Sequence, residues 1–222
     1  MWRTRLSATL LLIVVFAACA RSNPSTAPPE IGRGSDTSRG AVDDLISLLN
    51  TPDFTTASEL VVPGQAALAA LAEGATFAQV ADAIEQGDAA VASNFWAGFA
   101  QGAGSFLAGS VTTSDGPVVN EGDIDFHTVE IRLDDGSARQ VSTREVDGFR
   151  IDLFASFGSG LAERMIPPVE RLLISQTDDT AIVVSALKTV VPSLLVAANQ
   201  DGLKARAVQD ILRLVELITR VN

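Results

Sequence analysis

The chain has few of the side chains that most often carry chemistry. Its 222 residues include one histidine, one cysteine and no tyrosine. A lone cysteine cannot form an intramolecular disulfide. One histidine also falls short of the three or four good ligands that zinc prefers. The composition therefore predicts no metal, no cofactor and no catalytic residue.

Basic side chains are also scarce relative to acidic ones. Sixteen lysines and arginines stand against 27 aspartates and glutamates, which gives a formal net charge of −11. Such a chain is repelled by nucleic acid, so we expect no nucleic-acid partner. Residues of hydrophobic type make up 47% of the sequence, enough for a single domain with a real core.

The N-terminus has the order basic, apolar, cysteine. Arg3 and Arg5 precede a charge-free run at 10–18 that ends at Cys19. The run is shorter than the roughly 20 residues that span a bilayer, but it suits the central region of a signal peptide. An ordinary secretory signal shares these features, and the cysteine is then incidental.

The cysteine and the residues before it favour a more specific interpretation. Phe16-Ala17-Ala18-Cys19 resembles the lipobox of bacterial lipoproteins, with phenylalanine where that family prefers leucine. The resemblance implies a signal peptide at 1–18, cleavage between Ala18 and Cys19, and acylation of Cys19, for example with palmitate. We therefore expect a protein held by lipid on the extracytoplasmic side of the cell membrane or envelope.

Composition changes again after the cysteine. Residues 20–39 are rich in proline, serine, threonine and glycine. Such a segment buries too little apolar surface to offset its ordering entropy. We expect 19–40 to be a lipid-anchored disordered tether and 41–222 to be a single α+β domain.

The first zone of that domain, 41–102, has helical periodicity. One face of a helix is predicted at Val42, Leu45, Ile46 and Leu49. Thr76 with Gln79 three residues later indicates a capping box, and Asp88 is a candidate cap for the next helix. That next helix has its apolar face at Ala92, Phe95, Trp96 and Phe99.

The second zone, 104–157, has the period of β-strands. Asp-Gly pairs at 115–116, 135–136 and 147–148 indicate turns. Val129 to Leu133 and Phe149 to Leu153 alternate apolar and polar residues. This pattern predicts a small antiparallel β-meander with one buried face.

The third zone, 158–222, is predicted to be helical and to pack on the meander. Gly158 to Gly160 is interpreted as a turn and Pro167-Pro168 as a helix boundary. The segment 181–198 is apolar nearly all round, which predicts a buried helix kinked at Pro192. Its narrow polar stripe is Ser185, Lys188, Thr189 and Ser193, and Lys188 disfavours a membrane-spanning alternative. The last helix has a predicted face at Val208, Ile211, Leu212, Val215 and Ile218.

One polar cluster is a candidate for chemistry. Asp123, Asp125 and His127 are two residues apart, so they can share one face of a strand. They are too few for a metal signature, and no Gly-x-Ser-x-Gly elbow accompanies them. A polar sheet edge is the alternative interpretation, which we prefer.

A second resemblance concerns the fold. Gly148-Phe149-Arg150-Ile151-Asp152-Leu153 resembles the closing strand of NTF2-like cone-shaped domains, and residues 77–154 follow their order of helices before sheet. The resemblance implies a concave face that binds a small apolar ligand. Its implied pocket walls are Phe95, Phe99, Phe126, Val129, Ile131 and Phe149; the alternative is that these residues form the core.

Three functions follow as hypotheses. The first is a non-enzymatic interaction or scaffold protein that contacts an envelope protein at the outer face of the membrane. The second is a carrier or sensor for a small apolar ligand. The third is an enzyme that uses His127 with Asp123 or Asp125.

Overall fold

The computed structural model describes residues 34–88, 90–102, 111–133, 136–175 and 177–221. Their helices and strands form three blocks along the chain: helices, then strands, then helices. The first block contains α1 (Ser38–Asn50), α2 (Phe54–Glu59), α3 (Gln65–Ala69), α4 (Phe77–Gln86) and α5 (Ser93–Gly102), with 3-10 turns at Ala70–Glu73 and Ala90–Ala92. The second contains β1 (Thr112–Glu121), β2 (Ile124–Arg132), β3 (Ala138–Glu145) and β4 (Phe149–Ile151). The third contains α6 (Leu153–Leu172), α7 (Asp178–Thr189), α8 (Val191–Ala198) and α9 (Ala205–Arg220).

The four strands form an antiparallel meander in the order β1-β2-β3-β4. The predicted α+β fold, with helices before and after a small meander, is confirmed. Asp147 and Gly148 have φ angles of 52° and 91° in the turn between β3 and β4, as the Asp-Gly pair predicts. Gly136, in the turn between β2 and β3, also has a positive φ.

The Asp115-Gly116 pair is not a turn, contrary to the prediction. Both residues lie inside β1, where the register against β2 shifts between Asp115 and Val118. The shift is a β-bulge on an edge strand, the place where a sheet tolerates Pro117 without losing a ladder hydrogen bond. A Cβ at Gly116 would lie 2.5 Å from the Thr128 hydroxyl, so the close approach of the two strands requires glycine there.

The folded domain begins before residue 41, which corrects the predicted tether boundary. Thr37 caps α1 by accepting a hydrogen bond from the amide of Gly40, at 3.0 Å. Ser35 pairs with Phe149 at the free edge of β4, and the amide of Gly34 donates to the carbonyl of Asp147. Composition marks this glycine- and serine-rich stretch as flexible, but strand pairing satisfies its backbone groups.

Helices cover both faces of the sheet. On one face α1 contacts all four strands, and Ser38 shares a hydrogen bond of 2.7 Å with Thr143. On the opposite face Phe126 packs against Ala155 of α6 and Val196 of α8. The prediction of one buried face is therefore wrong at the end of the sheet, where the polar residues Arg150 and Asp152 are buried as well.

Helix α4 begins and ends where the sequence predicts. Thr76 and Gln79 form the predicted capping box on α4, and the helix ends at Gly87 in the left-handed conformation. Asp88 accepts a hydrogen bond of 2.8 Å from the amide of Ala90 before α5. The predicted faces of α1 and α5 point inward, with Ile46 and Phe99 only partly buried.

Helix α6 contradicts two predictions. Gly158, Ser159 and Gly160 lie inside it rather than in a turn, and Pro167 and Pro168 do not bound it. A Cβ at Gly158 would lie 3.0 Å from Ala197 of α8, so this glycine serves close helix packing. Proline inside a helix costs about 3 kcal/mol. Burial of a long apolar face offsets that cost; its members include Leu161, Met165, Ile166, Val169 and Leu172.

The segment 181–198 is two helices rather than one kinked helix. Helices α7 and α8 meet at 43°, and Pro192 lies in the first turn of α8, where its missing N–H is not needed. Ser185, Lys188 and Thr189 are exposed, but Ser193 is buried. Among the described residues, no single helix is long and apolar enough to cross a membrane, although this bent pair passes on length and composition.

Helix α9 runs alongside α6 in the same direction. Arg206 pairs with Glu163 at 2.5 Å, and Arg213 pairs with Glu170 at 2.6 Å, so both partners advance by seven residues. The predicted inward position of Leu212 is wrong, since this side chain is 48% exposed. The inward face of α9 consists of Ile211, Leu214, Leu217 and Ile218. Leu214 is buried in this turn of the helix, whereas Leu212 is not.

Candidate functional site

A groove of about 940 Å³ opens between α5, β3, α6 and the loop from α8 to α9. Its volume is at the upper end of the range for sites that bind small molecules. Ser156, which lines the groove, joins α6 to β3. The Ser156 hydroxyl accepts from the amide of Ser142 at 2.9 Å and donates to its carbonyl at 3.1 Å.

Aromatic rings line one side of the groove. Phe99 of α5 and Phe157 of α6 meet edge to face, with ring centroids 4.8 Å apart. The Phe95 ring centroid lies 6.0 Å from that of Phe99, and Phe95 is only 2% exposed, so Phe99 and Phe157 are the more accessible of the three rings. Leu133, Leu161 and Leu203 extend the apolar lining.

Charged side chains stand around the same groove. Arg164 donates to a carboxylate oxygen of Glu73 and, at 3.3 Å, to the carbonyl of Gly160, which ties α6 to the preceding helical block. Glu130 pairs with Arg132 at 2.5 Å. Arg139 is exposed and forms no ion pair with any carboxylate of the described residues. Asp201 also lines the groove, so the lining carries three carboxylates and two guanidinium groups.

Comparison with known proteins adds no family to this geometry. No protein-family model, curated protein or solved structure matches the chain. The site is therefore interpreted from its own residues.

The six residues implied as pocket walls are not brought together around this groove. Phe95 and Phe99 line it. Phe126, Val129 and Ile131 are at most 1% exposed and belong to the packed interior. For these three residues the alternative interpretation, that they form the core, is the one that fits. Phe149 packs edge-on against His127 instead, with centroids 5.1 Å apart.

The acidic residues near His127 do not converge on its ring. Asp123 lies in the turn between β1 and β2 rather than on a strand, and Asp125 accepts a hydrogen bond from Asn120 at 2.5 Å. The half-buried His127 ring contacts Phe149. No group of three or more possible metal ligands occurs in the part of the chain that the structure describes. Sequence spacing missed the turn because Gly122, with φ 61°, ends β1 one residue before Asp123.

Sequence analysis also missed a buried polar network around Asp152. One carboxylate oxygen caps α6 by accepting from the amide of Ala155 at 2.8 Å. The other accepts from Ser193 at 2.8 Å and from Gln65 at 3.1 Å, and lies 2.9 Å from Nε of Arg144 in an ion pair. Asp152 is completely buried, so these contacts join α3, β3, α6 and α8. An aspartate directly before a helical apolar pattern is a cap signal that could have located the start of α6.

Arg150 forms a second buried polar link. Its guanidinium donates to the carbonyl of Val146 at 2.9 Å and to the carbonyl of Glu59 at the end of α2. Burial lowers the pKa of Arg150, while the charges of Asp147 and Glu59 act in the opposite direction. An arginine remains protonated at physiological pH despite such a shift. Both networks link elements that lie far apart in the sequence.

Cys19 lies outside the described residues, as does most of the expected tether. The described chain starts at Gly34, on the β4 edge of the sheet. The preceding segment of the chain therefore enters the domain at this edge.

Proposed function

We propose that this protein is a lipid-anchored lipoprotein of the cell envelope, whose exported domain acts by binding rather than by catalysis. The observation that carries the proposal is the Phe16-Ala17-Ala18-Cys19 motif after a short apolar run. Acylation explains the position of the only cysteine in the chain.

The fold is compatible with such an anchor. Between Cys19 and Gly34 lie 14 residues, 20–33, that are rich in proline and serine. As a flexible coil they would span about 20 Å. The domain can then stand clear of the lipid headgroups and present its surface to an envelope partner.

The arrangement of polar side chains favours a binding role. Asp152, Gln65 and Ser193 hold helices and sheet together, and no path leads to them from the surface because each is at most 2% exposed. A substrate cannot reach a carboxylate that is completely buried. The groove and the exposed strand β1 are among the surfaces that a partner can reach.

Metabolic labelling with palmitate tests the anchor. We expect label on the wild-type protein and none on Cys19→Ala, which should also leave the membrane fraction, because acyl chains supply the attachment. Ser25→Ala is the matched control, since it changes the same segment without touching the thiol. Equal labelling of wild type and Cys19→Ala would contradict the proposal.

A second candidate function, binding of a small apolar ligand, is favoured by the groove between α5 and α6. The phenylalanines Phe99 and Phe157 provide apolar surface that is accessible from outside. This function is compatible with a lipid anchor and does not depend on it.

The third hypothesis, an enzyme that uses His127, has a direct test. His127→Phe keeps a ring against Phe149 but removes the imidazole, so it separates chemistry from packing. We expect the variant to support the host as the wild type does. A host phenotype equal to that of the deletion strain, at normal protein level, would instead establish a chemical role for His127.

A further inference from the structure

We draw no further inference here: the strongest candidate, the groove between α5, β3 and α6, belongs to the site already described, and nothing among the described residues shows which ligand or partner occupies it.

Discussion

The hydroxyl of Ser193 donates a hydrogen bond of 2.8 Å to the carboxylate of Asp152. Both residues are completely buried. Asp152 follows β4 and caps α6, and Ser193 is the third residue of α8, so this contact ties the start of α8 to the start of α6. Ser193 therefore faces a polar partner inside the domain, in contrast to the exposed remainder of its predicted polar stripe.

Removing the acceptor should cost more than removing one donor. Ser193→Ala deletes one hydrogen bond to a charged group, and we expect the free energy of unfolding to fall by about 1.5–3 kcal/mol. Asp152→Ala leaves Arg144 without its ion-pair partner and α6 without its cap, so a loss of about 3–5 kcal/mol is expected. Urea denaturation measures the free energy of unfolding of both variants.

Ser185→Ala, at an exposed serine of α7, is the control. A loss of stability in Ser193→Ala that is no larger than the loss in this control would show that the network contributes little.

The N-terminal boundary of the domain depends on two glycines in direct contact. A Cβ at Gly148 would lie 2.7 Å from the carbonyl carbon of Gly34, in addition to its φ of 91°. Gly136 has a similar φ of 81° but open space around it. Gly148→Ala should therefore destabilise the domain more than Gly136→Ala does, because only the former also displaces residues 34–35 from β4.

Limited proteolysis would detect the displacement of residues 34–35 from β4. In the wild type we expect a stable fragment that begins close to Gly34, since the backbone of residues 34–35 is hydrogen-bonded to the turn and strand at 147–149. In Gly148→Ala the first cut should move toward α1. A wild-type fragment that begins at residue 40 would mean that the pairing with β4 is absent.

Two substitutions in helix α7 test which of its faces is buried. Leu187 is 1% exposed, whereas Ser185 on the same helix is exposed. Leu187→Asp would bury an unpaired charge, and we expect a loss of several kcal/mol or failure to fold. Ser185→Asp should change the free energy of unfolding by less than about 0.5 kcal/mol. Similar effects of the two changes, measured by thermal and urea unfolding, would contradict the assigned face.

Local sequence patterns were enough to predict the class of fold and both ends of α4. Periods of about 3.6 and 2 residues separate helical from β zones, and the cap of α4 at Thr76 and Gln79 is a local interaction between neighbouring residues. Positive φ at Asp147 and Gly148 is local as well. Such features are visible in sequence because the residues that create them are adjacent in the chain.

Contacts between segments that are distant in the sequence could not be predicted, because they form only in the tertiary structure. Gly158 and Pro167 look like breaks, yet both lie inside α6 because burial of the apolar face of α6 offsets their local cost. Arg150 and Asp152 alternate with apolar residues as an outer face would, but their partners at Glu59, Gln65 and Ser193 come from other parts of the chain. No local pattern encodes those partners. The groove also depends on packing between distant segments. Gly98 and Gly160 line the same groove because α5 and α6 pack beside β3.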